Sequence, residues 1–330
     1  MNNSILHIEQ CGFLTTLQDC GRTGSLQYGI SKTGAMDQYS AMLANVLVGN
    51  DEGDAVMEIT QSPHRFLFLK DTVAAFTGGG LQPQQSNETI PLNQPVFIAK
   101  DTVVELKQQR EGFRIYMAVA GGLKADEFLY SHSTDLLIKA GGFHGRPLKK
   151  NDTVETNQQL NHTQQQLLEV LRSNAEIKLY DHSPAFNTKT IRVIAGAEWN
   201  YLHAEMQQQF LSGNYIISSQ SNRMGYRLKG GLLKTNQPCE IISSPVTEGA
   251  IQLTSSGEMI VLMADAQTVG GYPRIATVCA ADLSLLAQKK PGDEIQFRLI
   301  GLMEAEELYL EELNKLQQIK SVIKRLGSAS

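Results

Sequence analysis

Arg223 and Arg227 stand on either side of Gly225 in the run Ser221-Asn222-Arg223-Met224-Gly225-Tyr226-Arg227-Leu228. On an extended strand alternate side chains share a face, so Arg223, Gly225 and Arg227 would point one way and Met224, Tyr226 and Leu228 the other. A slot between two guanidiniums suits a carboxylate or phosphate, which arginine grips bidentately. The alternative is that both arginines pair with acidic neighbours at a barrel rim. A second run, Ala264-Asp265-Ala266-Gln267-Thr268-Val269-Gly270-Gly271-Tyr272-Pro273-Arg274, reads as a functional loop. Pro273 holds Tyr272 extended, Gly270-Gly271 lets backbone N–H groups approach a ligand, and Gln267 and Thr268 add neutral donors and acceptors. Such a loop can stabilise an oxyanion. Few acidic residues adjoin either run, so Arg223, Arg227 and Arg274 are expected to converge on one anion-binding pocket with the Gly270 to Tyr272 backbone. Tyr272 and Gln267 join these arginines in the expected catalytic set. Asn222, Tyr226, Thr268, Gly270 and Gly271 are expected substrate contacts.

Two earlier segments carry similar residue types. In Leu17-Gln18-Asp19-Cys20-Gly21-Arg22-Thr23-Gly24, a turn braced by an Asp19–Arg22 pair is favoured over a substrate contact. Ser131-His132-Ser133-Thr134-Asp135 followed by Gly141-Gly142-Phe143-His144-Gly145-Arg146 invites a hydrolytic triad. Triad members usually come from separated elements, however, and no GxSxG elbow is present. Short Ser/Thr/Asp runs also bond their own backbone. Ser133, Thr134 and Asp135 are therefore expected to form a turn that touches substrate, and Arg146 is assigned to a turn. Gly78-Gly79-Gly80 is a tight turn, because no GxxxxGK[ST] phosphate loop occurs.

The elements that must position these residues are mostly strands. Ile5–Glu9, Val56–Thr60, Phe66–Leu69, Val73–Thr77, Val96–Ala99, Val103–Lys107 and Phe113–Ala120 are short, branched or aromatic, and punctuated by turn residues, the pattern of an antiparallel sandwich or barrel. The near-continuous apolar run at 113–119 reads as a central strand. A second set comprises 177–180, 191–195, 215–218, 259–263, 275–280 and 295–300. Helices are predicted at 37–49, capped by Asp37, and at 159–171, 198–210 and 302–326. The last has Leu302, Leu313, Leu316, Ile319, Ile323 and Leu326 near one stripe, predicted to pack on a barrel or another subunit. The polar stretch 151–166 precedes a domain boundary placed near 185, giving domains 1–185 and 186–330, with strand exchange between them allowed.

Composition excludes several classes. A formal net charge of -5 gives no basic surface for nucleic acid. No apolar stretch approaches the roughly 20 residues that span a bilayer, and the N-terminus lacks a secretory pattern. Cys11, Cys20, Cys239 and Cys279 form neither a disulfide framework nor a metal-ligand spacing, so reduced thiols, a cytoplasmic setting and no metal are expected.

Taken in order, LQDCGRTG, GAMD with ANVLVGN, MAVAGG, STD with GGFHGR, SNRMGYRL, TEGAIQ, and QTVGGYPRIATV with DL, LAQ and PGD resemble one family. It is variously called the C subunit of 5-oxoprolinase, allophanate hydrolase subunit 2 or biotin-dependent carboxyltransferase. The resemblance implies a mainly β fold of tandem cyclophilin-like β-barrel domains with peripheral helices. It also implies a partner subunit of related fold, a further hydrolase subunit, and ATP-dependent opening of 5-oxoproline to L-glutamate. In the urea carboxylase relatives the module moves a carboxyl group from carboxybiotin to urea. A third alternative is a regulatory chain that binds a related subunit. No covalent cofactor is expected: the chain has no biotin-attachment AMKM and no P-loop, so ATP or a biotinyl carrier needs a nonstandard site or another subunit. Relatives usually carry glycine at Tyr130, a residue expected to fill space beside Ser131–Asp135.

Overall fold

The computed structural model describes residues 3–61, 63–109, 111–173, 177, 185–237 and 240–326. The chain divides into two compact units: Met1–Gly21, Asp37–Pro184 and Leu313–Ser330 form one, and Arg22–Met36 and Ala185–Glu312 the other. Segments 22–36 and 313–330 thus belong to the unit opposite to the one that sequence order suggests. Of the strand predicted at 177–180, all but Ile177 lies outside the described residues, as does Cys239.

The first unit contains β1 Ser4–Gln10, β2 Leu14–Gln18, β3 Val56–Thr60, β4 His64–Phe68, β5 Thr72–Gly78, β6 Leu81–Gln85, β7 Glu88–Thr89, β8 Pro95–Ile98, β9 Val103–Gln108, β10 Arg114–Val119 and β11 Thr153–Glu155. They form a six-stranded sheet, β11-β1-β4-β9-β6-β7, and a five-stranded sheet, β2-β3-β10-β5-β8. Apolar residues of both sheets, among them Ile8 and Phe66 from one and Ile59 and Met117 from the other, share one core. β10 is buried along its whole length at the centre of the five-stranded sheet, which explains why its sequence does not alternate. Asp37 caps α1 Gln38–Leu47, its carboxylate accepting from the Ser40 N–H at 2.9 Å and the Ser40 hydroxyl at 2.7 Å. Such a cap contributes about 1 kcal/mol. α2 His162–Arg172 opens with a capping box between Asn161 and Gln164.

His64 gives this unit a pH dependence. It is 1% exposed, its Nε2 lies 2.8 Å from Thr15 Oγ1, and burial pushes it from an ordinary 6.5 to about 4. The unfolded chain therefore takes up this proton first as pH falls. The His64 contribution is complete above about pH 6.5 and is lost progressively down to about pH 4, by roughly 3 kcal/mol. Urea unfolding of His64→Gln at pH 7 and pH 4.5 should show a smaller loss than the parent chain. Equal losses in the two proteins would refute the assignment.

The second unit contains β12 Thr190–Ala195, β13 Tyr215–Ile217, β14 Gly225–Lys229, β15 Ser244–Pro245, β16 Ala250–Leu253, β17 Met259–Leu262, β18 Val269–Gly270, β19 Arg274–Val278 and β20 Glu294–Leu299. Seven of them close into a barrel, β12-β19-β16-β17-β14-β13-β20, sealed by a parallel pairing of β12 with β20. β15 and β18 form a separate two-stranded ribbon. The helix predicted at 198–210 resolves into a 3₁₀ turn at Trp199–Tyr201 followed by α3 Ala204–Ser212. An additional helix, α4 Ala280–Ala287, follows β19. α5 runs Leu302–Leu326 as predicted, but its buried stripe is Ala305, Leu316, Ile319 and Ile323, whereas Leu302 is largely exposed. No described helix is long and apolar enough to cross a membrane.

Candidate functional site

Side chains of the barrel strands alternate between core and exterior. Tyr226 and Leu228 of β14, Ile251 and Leu253 of β16 and Val261 of β17 fill the core, so their neighbours face outward; on β19 a register shift puts both Ile275 and Ala276 in the core. Pairing registers place Arg227, Ile260, Gln252 and Arg274 in one lateral row of the outer face, across β14, β17, β16 and β19. The β15–β18 ribbon packs against this face. Val246, Ala250, Leu262, Ala266 and Ile260 form a small apolar cluster there, and the Pro245 carbonyl accepts from Arg274 Nη1 at 3.1 Å.

The expectation of three free guanidiniums is corrected here. Arg223 precedes β14 rather than lying in it, and is 6% exposed. It donates to Asp265 through Nε at 2.7 Å and Nη2 at 2.9 Å, and to the Gly34 carbonyl at 2.6 Å. Arg274 donates to both oxygens of Glu198, at 3.0 and 2.8 Å, and its backbone N–H donates to the same carboxylate at 2.8 Å. That pairing holds the Glu198 carboxyl below its ordinary range. Arg223 and Arg274 thus carry their counterions within the fold, and of the alternative that Arg223 and Arg227 both pair with acidic neighbours only the Arg223 half holds. Arg227 alone of the three is exposed, and no described carboxylate pairs with it. Nor does Gly225 leave a vacant slot, because Ile260 fills it: a Cβ there would lie 3.0 Å from Ile260 Cγ2 and 3.2 Å from the Val261 carbonyl oxygen.

The remaining expected contacts divide in two. Tyr226 points into the barrel, 2% exposed, with its hydroxyl 3.3 Å from the Lys289 carbonyl, so it is a core residue rather than a substrate contact. Asn222 closes a turn, its Oδ1 accepting from the Met224 N–H at 2.8 Å. Gln267, Thr268, Gly270, Gly271 and Tyr272 do lie together on the ribbon and its exit. Thr268 is nearly buried and its carbonyl accepts from the Val246 N–H; Tyr272 is half-buried. Gly270 and Gly271 are not in the left-handed region; the need at Gly270 is for space. A Cβ there would lie 2.3 Å from Gln252 Nε2.

Gln252 went unnoticed in the sequence, although it ends the TEGAIQ motif. It is 1% exposed, its Oε1 accepts from Gln267 Nε2 at 3.4 Å, and its Nε2 has no partner among the described residues. Ser244 Oγ is likewise a buried atom with no described partner. An orphaned buried donor costs roughly 1–3 kcal/mol, so two at one place call for an explanation. Lys32 and Glu248 also went unnoticed. They pair at 3.3 Å, and burial pushes the Glu248 carboxyl up against the pull of Lys32 and, more weakly, Arg223. A carboxyl moved toward the working pH can carry a proton.

In the first unit, Ser131 to Asp135 form an internal turn. Asp19 accepts from the hydroxyls of Ser131 at 2.8 Å and Ser133 at 2.5 Å and from the His132 N–H at 2.5 Å. Thr134 Oγ1 donates to the Leu17 carbonyl at 2.9 Å, and Asp135 accepts from the N–H groups of Leu137 and Ile138. Ser133 and Thr134 are fully buried and Asp135 is 5% exposed, so the substrate contacts expected of them are corrected to scaffold. Gly142 is required here, since at φ +60° a Cβ would lie 1.8 Å from Thr134 Oγ1. Tyr130 fills no space beside them; it stands 93% exposed with φ 60°. Arg146 holds a turn, as expected, through a bidentate pair with Asp152 at 2.7 and 2.8 Å.

Residues 28–299 match the family described as carboxyltransferase domain, subdomain A and B. The chain is 35% identical to the C subunit of 5-oxoprolinase from Escherichia coli (strain K12), over 94% of this chain and 97% of that protein. It is 29% identical to urea amidolyase of Saccharomyces cerevisiae over 94% of this chain but only 18% of the longer protein. The crystal structure of Kluyveromyces lactis urea amidolyase superposes with a TM-score of 0.85 at 26% identity, covering 97% of this chain and 20% of that one.

Proposed function

The chain belongs to the carboxyltransferase subdomain A and B family, and from that premise we propose that it is a subunit of an ATP-dependent 5-oxoprolinase. In this reading it opens 5-oxoproline to L-glutamate together with a subunit of related fold and a further hydrolase subunit. The observation that carries the reading is its near full-length match to the 5-oxoprolinase protein, against less than a fifth of a urea amidolyase.

Opening a lactam means overcoming amide resonance, whose rotational barrier of ~18–20 kcal/mol measures the stabilisation to be lost. Phosphorylating the amide oxygen is one route, and we assign ATP to the partner subunits because this sequence has no P-loop. The arginines do not supply a phosphate clamp here, as Arg223 and Arg274 are neutralised by Asp265 and Glu198. What the outer barrel face offers instead is neutral donors beside Gly270, with Arg227 exposed two strands away for a carboxylate. A second reading, carboxyl transfer from carboxybiotin to urea, is favoured by the 0.85 superposition on a urea amidolyase.

Purification of the chain from its native cell with its partners, followed by assays for ADP and glutamate, separates the two. The captured complex should form both products when given 5-oxoproline, while the pure chain stays folded and inactive. Turnover by the single chain would overturn the proposal. So would capture of a biotinylated carrier whose complex carboxylates urea and ignores 5-oxoproline.

A further inference from the structure

Ser244 and Gly270 are directly opposite one another in the β15–β18 ribbon. Opposed residues of an antiparallel pair project to the same face, so the Ser244 side chain leaves the ribbon on the side where Gly270 lacks one. That side is occupied by the Gln252 amide, as the 2.3 Å approach of its Nε2 to a notional Gly270 Cβ records. Val246 Cγ1 bounds the same space at 3.3 Å. Two buried donors, Gln252 Nε2 and Ser244 Oγ, therefore flank one glycine, and neither is bonded within the described residues. The Gln252 amide is oriented by Gln267 Nε2, which donates to its oxygen and leaves the NH₂ end toward the ribbon.

We propose that this is a binding site for the carbonyl oxygen of a small neutral amide or urea, accepted between Gln252 Nε2 and Ser244 Oγ over Gly270. The inference rests on the substrate class of the proposed function, both readings of which place a carboxamide-type carbonyl at the reacting centre. Its chemistry comes from the donors themselves. An anion would call for a free cation, and the nearest one in the row, Arg274, already holds both oxygens of Glu198. A carbonyl oxygen needs only two converging neutral donors, the arrangement that also stabilises negative charge as it grows there. Gly270 leaves room for the Gln252 amide to sit in its donor position, Gln252 and Ser244 bind, and the exposed Gln267 positions the amide.

The test uses the full chain and 2-pyrrolidinone, a lactam without a carboxylate, titrated while the side-chain amide signals of ¹⁵N-glutamine-labelled protein are followed by NMR. The Gln252 amide signal, assigned by its loss in Gln252→Leu, should shift on titration. Ser244→Ala and Gln252→Leu should each weaken binding about tenfold, and Gly270→Ala should abolish it. Thermal stability should be unchanged or higher in Ser244→Ala and Gln252→Leu, since each removes an orphaned buried group, and the Gln267 amide that loses its acceptor in Gln252→Leu is exposed to water. Lower stability in both would instead make these groups structural and overturn the proposal. Binding indifferent to Ser244→Ala and Gly270→Ala, no shift at any soluble concentration, or a larger shift with inorganic phosphate than with 2-pyrrolidinone would also overturn it. These readouts need no partner subunit, so a failed activity assay of the complex and a failed site remain distinguishable.

Discussion

Asp265→Ala should destabilise the second unit by about 3–5 kcal/mol, a large fraction of what holds an ordinary domain together. The Arg223 side chain is 7% exposed and its fork closes on both oxygens of Asp265, with a further bond to the Gly34 carbonyl. Removing the carboxylate leaves a guanidinium charged in a place with little water, and the cost is that of an uncompensated buried charge. Arg223→Lys keeps the charge and loses the fork, so about half the effect is expected. Arg146→Lys is the control: its pair with Asp152 has the same bidentate form but is about a third exposed, and should cost about 1 kcal/mol or less. Trp199, the single tryptophan, packs on the barrel core and reports on this unit in denaturant titrations. A shift for Asp265→Ala no larger than that for Arg146→Lys would show that the buried pair is not structural.

Gly196→Ala should be comparably harmful for a reason that has nothing to do with charge. A Cβ at this position would lie 2.1 Å from the Arg274 carbonyl oxygen and 2.8 Å from the Ala276 nitrogen. Both are backbone atoms of β19, so β12 and β19 must move apart where Gly196 N–H donates to the Ile275 carbonyl and Glu198 N–H to the Arg274 carbonyl. Overpacking of this kind, with loss of ladder bonds, costs roughly 2–4 kcal/mol. Because the Glu198 carboxylate grips the Arg274 side chain next to the same strand end, the ion pair should loosen as well. Gly301→Ala, with open space around its Cβ position, should stay within about 0.5 kcal/mol of the parent. Equal melting of the two variants would remove the steric argument.

Much of the scaffold was legible because its signals are local. The Asp37 cap, the continuous apolar run of β10 and the limits of α5 each sit within a few residues of the element they define. α4 was missed because Ala280–Ala287 is short, has no side-chain cap and buries its two polar residues, Asp282 and Ser284, along with Leu286 and Ala287, so it carries no helical period of polar and apolar faces. The candidate site was least legible where sequence-distant residues meet. Asp265 lies 42 residues from Arg223, and Glu198 lies 76 from Arg274, so local counting of acidic residues gave the wrong charge balance. Gln252 looked like any polar residue on an exposed strand face. Its burial depends on a ribbon made of two-residue strands, too short to leave a pattern.

The parallel seam between β12 and β20 has a consequence in time. Thr190 meets Gln296 and Val193 meets Leu299, so the barrel's first strand is joined to its last with almost the whole unit lying between them. Loop-closure entropy opposes that contact until the intervening strands have formed, which places the seam late in folding and makes the unit a slow folder for its size. The same late step works in reverse. A ring has no end strand to fray, so opening must break a seam bonded along its length, and the barrel should persist under proteolysis long after equilibrium stability alone would release it.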